Sequence, residues 1–241
     1  MGNPRELIKE IAQERYEEDN ALALILYGSF SRHEESANSD IDLMVITKEF
    51  HLQKRHEIRW GITIELLEIH MDFLRNFIEI REIPVLFLLA DGVVLFDKIS
   101  ATERLRGEAK EILKSGPPVN PKWENERYRT KRRSDITEIY EDLLDVDEEI
   151  SFNYIAALLI DQTIPLMLVN HELWPTTRKK TVELLKSKCP VGYQYIEILL
   201  NPSRSLQDKR DAAKGLTEYV LKPYGGILTG DGIIFRQTEI K

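Results

Sequence analysis

Apolar positions recur along the chain in two rhythms, and the change between them divides it. Asn3 followed by Pro4 reads as a helix N-cap with proline in the first turn. Leu7, Ile8, Ile11 and Ala12 continue at helical spacing to about Tyr16. Asp19-Asn20 breaks that helix, and Ala21 to Tyr27 is an apolar run of strand length. A small, polar turn region spans Gly28 to Asn38, and a second strand follows at Ile41 to Ile46. Gly61 to Ile69 alternates, with Ile62, Ile64 and Leu66 on one face and Thr63, Glu65 and Leu67 on the other. A helix is predicted after His70 with Asp72 as its cap, then a turn and short strand over Asp91 to Asp97, then a helix over Thr102 to Lys114.

The segment Ser115 to Pro121, SGPPVNP, carries three prolines and a glycine and reads as a linker. Beyond it only the helical rhythm remains. Ile136, Ile139, Tyr140, Leu143 and Leu144 form a stripe within a helix from about Glu124 to Asp145. Ser151 to Val169 is apolar nearly all round, as expected of a central buried helix, with a kink predicted at Pro165. Helices over Thr177 to Lys188, Gly192 to Leu200 and Ser205 to Leu221 follow. Ser205 and Asp208 form a capping pair at the last, and Pro223 marks its stop. Gly225, Gly226, Gly230 and Gly232 suggest turns around a short hairpin. The predicted architecture is an α/β domain with a mixed sheet over residues 1–116 and an all-α helical bundle over 117–241.

Composition narrows the function classes. The 241 residues carry a net charge of −8, which argues against broad electrostatic capture of nucleic acid and either serves solubility alone or attracts a cationic small molecule. A single cysteine, Cys189, cannot form an intrachain disulfide and fits a reducing compartment. The N-terminus turns charged at once, unlike a secretory signal. The longest apolar stretch, Ile155 to Val169, contains Asp161, Gln162 and Pro165 and falls short of a membrane span. A cytoplasmic protein with no membrane partner is expected.

Asp40 and Asp42 interrupt an otherwise apolar strand, and a buried charge must be compensated by a cation, solvent or hydrogen-bond donors. Two carboxylates at this spacing are hard oxygen ligands suited to Mg²⁺, which takes one or two carboxylates plus substrate phosphates. A third carboxylate from an adjacent strand would let two ions sit roughly 3.5–4 Å apart and clamp an in-line displacement at phosphorus. Glu65 is the natural third; Glu68 lies on the opposite face, so at most one of them joins. Gly28-Ser29 ends the preceding strand, where glycine permits close approach and amides with the Ser29 hydroxyl could cradle a phosphate. Arg32 could pair with a phosphate oxygen. The five histidines show no metal-ligand spacing.

The stretch GSFSRHEESANSDIDLMV, with TIELLE after it, resembles the nucleotidyltransferase superfamily of the DNA polymerase beta type. With the N-terminal helix, the LYGS entry and YIAALLIDQTIPLMLVNHELWPTT, the chain resembles more narrowly the kanamycin (aminoglycoside 4′-O-) nucleotidyltransferases. That resemblance implies transfer of a nucleoside monophosphate from an NTP such as ATP to a hydroxyl of a small cationic acceptor, with pyrophosphate released. It places two Mg²⁺ ions on Asp40, Asp42 and Glu65, nucleotide phosphates at Gly28, Ser29, Arg32 and Ser39, and the active cleft in a homodimer. The catalytic base falls on ITEIYED, as Glu141 with Glu138 the fallback one turn away. One departure stands out: where the family has a triphosphate-contacting lysine after the base, this chain has Asp145, so either Arg132 or Arg133 substitutes or triphosphate binding is weaker than in the relatives. The acidic run Glu138, Glu141, Asp142, Asp145, Asp147, Glu148 and Glu149 reads equally as a solvated face or as an attractor for a polycation. Transfer to another acceptor (a lincosamide, tRNA or protein side chain) and a nucleotide-binding regulatory module without turnover are the alternative functions.

Overall fold

The computed structural model describes residues 3–118 and 125–228. Its contacts divide the chain into two compact units, Met1–Ser115 and Gly116–Lys241, so the division falls at the near end of the proline-rich segment. The first unit is built on a five-stranded sheet of order β3-β4-β2-β1-β5. Helix α1 (Pro4–Glu17) begins at Asn3, whose side chain accepts from the Arg5 amide. It is followed by β1 (Ala21–Tyr27), a single turn α2 (Gly28–Ser31), β2 (Ile41–Thr47), β3 (Leu52–Arg59) and β4 (Ile62–His70). Helices α3 (Met71–Glu79) and α4 (Ile83–Asp91), the edge strand β5 (Val93–Asp97) and α5 (Thr102–Lys114) complete the unit.

Strand β2 is central, pairing antiparallel with β1 and parallel with β4. Both faces of such a strand are covered, which is why it reads as a continuous apolar run; Ile41, Leu43, Met44, Val45 and Ile46 are all buried. Leu7, Ile8 and Ile11 of α1 pack on one face of the sheet against Leu24, Leu26, Leu43, Val45 and Leu66. Successive strand residues alternate between faces, so Ile25, Met44 and Ile69 point to the other side, where α3 packs on β4 and α4 on β1.

Strand β3 and helix α4 have no counterpart in the sequence expectation, and one helix cap differs. Strand β3, LQKRHEIR, pairs antiparallel with β4 as a sheet edge, where its charged residues reach solvent and discourage pairing with other chains. Its exposure removes the apolar alternation that would announce it. The helix after His70 is capped by His70 itself, whose Nδ1 accepts from the Asp72 amide.

The second unit is helical: α6 (Glu126–Asp145), α7 (Glu149–Asn170), α8 (Arg178–Lys188), α9 (Pro190–Leu200) and α10 (Leu206–Leu221). The capping box between Ser205 and Asp208 forms as expected. Helix α7 is longer than the apolar run alone, because residues 149–154 add more than a turn. By length and composition it could cross a membrane. Phe152, Ala156, Leu159, Leu166 and Met167 nonetheless pack in the core of this unit with Leu143, Leu199 and Leu216. Gly225 and Gly226 take positive φ after α10, whereas Gly230 and Gly232 of the expected hairpin lie outside the described residues.

Candidate active site

Strand registers place four polar residues in one row across the sheet. Tyr27 of β1 pairs with Asp42 of β2, Asp42 with Glu65 of β4, and Glu65 with His56 of β3. Directly opposed residues share a face, so Tyr27, Asp42, Glu65 and His56 stand side by side. The Tyr27 hydroxyl donates to Glu65 Oε1 at 3.0 Å. Lys54, two residues before His56, places Nζ 2.7 Å from the same Oε1, and His56 Nε2 lies 3.9 Å from Oε2.

Asp42 carries the electrostatic strain of the row. Burial, then the neighbouring charges of Glu65 and Asp40, push its carboxyl up to about 6, against smaller opposing effects of Lys54 and Arg32. Burial, Glu65 and Asp42 hold the Tyr27 hydroxyl well above its usual value, so it remains a donor at neutral pH. Tyr27→Phe removes that bond to a charged acceptor. It should cost about 1–2 kcal/mol of stability, read by urea unfolding.

Gly28 opens the turn after β1 with φ +72°, and a side chain there would collide with Asp42. A Cβ would fall on Asp42 Oδ2 and 2.8 Å from its Cγ. The glycine therefore serves two needs, a left-handed backbone and room for the carboxylate against the turn.

The predicted site residues are not all drawn in equally. Asp40 lies just before β2 and is exposed, acting on Asp42 through its charge. Arg32 donates from Nε to Glu34 at 2.8 Å and lies 3.7 Å from Asp91, while its charge also reaches Asp42. Ser39 closes a local turn by accepting from the Ser36 amide. Ser29 lies half-buried next to Gly28. Glu68, on the other face, belongs to an ion network with Arg15, Arg55 and His51.

In the helical unit, Glu138 accepts from Ser134 Oγ at 2.7 Å. Glu141 is exposed on α6. Both arginines offered as replacements for the missing lysine are engaged within their own unit. Arg132 binds Gln162 on α7, and Arg133 donates to the carbonyls of Gly225 and Gly226. Sequence reasoning missed Tyr27, Lys54 and His56; the alternate spacing of Lys54 and His56 within LQKRHEIR was the available signal.

The donor set fits a divalent cation. Two carboxylates are register partners, a third lies within charge range of Asp42, and an ammonium stands against Glu65 where positive charge is wanted. As placed, no three carboxylate, imidazole or thiol groups among the described residues form a ready-made cage.

The sheet of the first unit, with its carboxylate pair beside a glycine turn, lies in the part of the chain that a known family model matches. Residues 6–100 match the family model described as Polymerase beta, Nucleotidyltransferase. Among solved structures the chain is similar to a nucleotidyltransferase-like protein from Exiguobacterium sibiricum 255-15. The two share 15% identity and a TM-score of 0.47, over 91% of this chain and 73% of that one. No curated protein matches the chain.

Proposed function

We propose that the chain is a nucleotidyltransferase that moves a nucleoside monophosphate from ATP or another NTP to a hydroxyl of a small cationic acceptor such as an aminoglycoside. The observation that carries this reading is the Asp42–Glu65 register pair on one face of the sheet, pressed against the Gly28 turn. Asp40, Asp42 and Glu65 would hold Mg²⁺, two ions in the full reading. When bound, Mg²⁺ neutralises phosphate charge and lowers the cost of the attacking alkoxide.

The chain's own groups do the rest. Tyr27 orients Glu65, and Gly28, Ser29 and Arg32 receive the phosphates, with Ser39 shaping the turn. Glu141 accepts the acceptor's proton; it is favoured over Glu138, whose carboxylate is already bonded to Ser134. The new bond joins the acceptor oxygen to the α-phosphorus, the bond to the β-phosphate oxygen breaks, and pyrophosphate leaves. The acidic run on α6 and the start of α7 suits an acceptor bearing several ammonium groups. A homodimer and a cytoplasmic setting complete the proposal.

The test is incubation with α-labelled ATP, Mg²⁺ and a panel of aminoglycosides, lincosamides and tRNA. Label moving to an aminoglycoside supports the reading, and label moving to another class reassigns the acceptor. No transfer to any of them favours a regulatory nucleotide-binding module. With the responding acceptor, Glu141→Gln should cut kcat by 10²–10⁴ and leave nucleotide affinity within about twofold. An unchanged kcat would remove Glu141 from the mechanism.

A further inference from the structure

Among the described residues Lys54 holds its ammonium at hydrogen-bonding distance from the carboxylate pair, and the proposed transfer gives it no part. It stands on the edge strand β3, with no strand beyond it in the sheet. Its Nζ contacts Glu65 Oε1 at 2.7 Å while the side chain keeps 54% of its exposure. An ammonium on a flexible, half-solvated stem is held by little more than that one ion pair. Arg132 and Arg133, the basic residues of α6 considered for the phosphates, are bonded to Gln162 and to the carbonyls of Gly225 and Gly226.

An ammonium and a divalent cation repel when they share one carboxylate, by an amount that falls only slowly with distance at a partly desolvated site. An ion taken up by the Asp42–Glu65 pair would therefore weaken the hold of Glu65 on Lys54. A nucleotide triphosphate carried by the same ion would then be the nearest uncompensated anion.

We propose that Lys54 is an exchanging cation: it occupies Glu65 in the metal-free protein and turns to the nucleotide's phosphates once a divalent ion and nucleotide are bound. This rests on the nucleotidyltransferase reading of the site. It assigns to strand β3 a phosphate-facing charge and predicts effects of opposite sign on two ligands.

The experiment compares wild type, Lys54→Met and Lys54→Arg, using Mn²⁺ alone by electron paramagnetic resonance. A non-hydrolysable ATP analogue with Mg²⁺ is measured by calorimetry on the same proteins. Lys54→Met should bind Mn²⁺ about five- to tenfold more tightly, because the competing charge is gone, and the Mg²⁺–analogue about tenfold more weakly. Lys54→Arg should stay within about twofold of wild type in both. Two unchanged affinities, or two that move in the same direction, overturn the exchange. Asp42→Asn separates the two readings. If wild type binds Mn²⁺, loses it in Asp42→Asn and is indifferent to Lys54→Met, only the Lys54 inference fails. If Mn²⁺ uptake is absent, or insensitive to Asp42→Asn, the metal site fails and the inference with it.

Discussion

Asp42→Asn should abolish nucleotidyl transfer while making the metal-free protein more stable. The loss of turnover, at least about 10³-fold, follows from removing one carboxylate of the pair that would hold the metal. The gain in stability follows from the burial of Asp42. Its carboxyl sits at about 6 in the fold against an ordinary 3.8, so the fold disfavours the charged form. A group raised in this way favours the folded state below pH 3.8, and that advantage is lost as pH rises through about 6. Asparagine carries no such dependence. The stability difference between variant and wild type should grow from near zero at pH 4 to about 1–2 kcal/mol at pH 7. That figure allows for solvent screening of a carboxylate that is only partly buried. Urea unfolding across that pH range in chelator checks it, and saturating Mg²⁺ should shrink the difference. A variant less stable than wild type at pH 7 would mean that Lys54 and Arg32 compensate Asp42 in full.

Gly28→Ala should damage both fold and activity. Alanine at φ +72° pays a left-handed backbone penalty of about 1–2 kcal/mol. The added methyl would also lie on the Asp42 carboxylate, so either β2 or the Gly28 turn must shift. Stability should fall by about 2–4 kcal/mol, and transfer by about 10²-fold or more, since small displacements of reacting geometry are costly. Chemical denaturation with a single-turnover assay on the folded fraction separates the two effects. Wild-type activity in that fraction would show that the approach of Gly28 to Asp42 is dispensable.

Much of the sheet was legible because its central strands are apolar runs with few exceptions, and those exceptions are the site. Asp42 and Glu65 stood out as carboxylates where leucine or valine would be expected. Sequence reasoning put Glu65 beside Asp40 and Asp42, but the register that pairs it with Asp42 was not legible. It depends on a direct parallel pairing of β2 with β4, which β3 separates only along the chain, and register between segments not consecutive in sequence leaves no local trace. Strand β3 went unseen because an edge strand in solvent need not alternate, and Lys54 and His56 went with it. Tyr27 reads from sequence as the end of a buried run, and only the row across the sheet turns its hydroxyl toward Glu65. Arg132 and Arg133 were read from charge alone, which suggested phosphate; their hydrogen bonds to α7 and to the segment after α10 left no trace in the sequence. The helices of the second unit were plain from caps and periodicity, whereas an exposed acidic face on α6 looks alike whether it is solvated or functional.

The most direct measurement of the central claim is anomalous diffraction from crystals grown with Mn²⁺ and a non-hydrolysable ATP analogue. An Mn²⁺ peak ligated by Asp42 and Glu65, with the analogue's phosphates against the Gly28–Ser29 turn, is the predicted result. Mn²⁺ or phosphates bound elsewhere, with the Asp42–Glu65 pair free of metal, would contradict it.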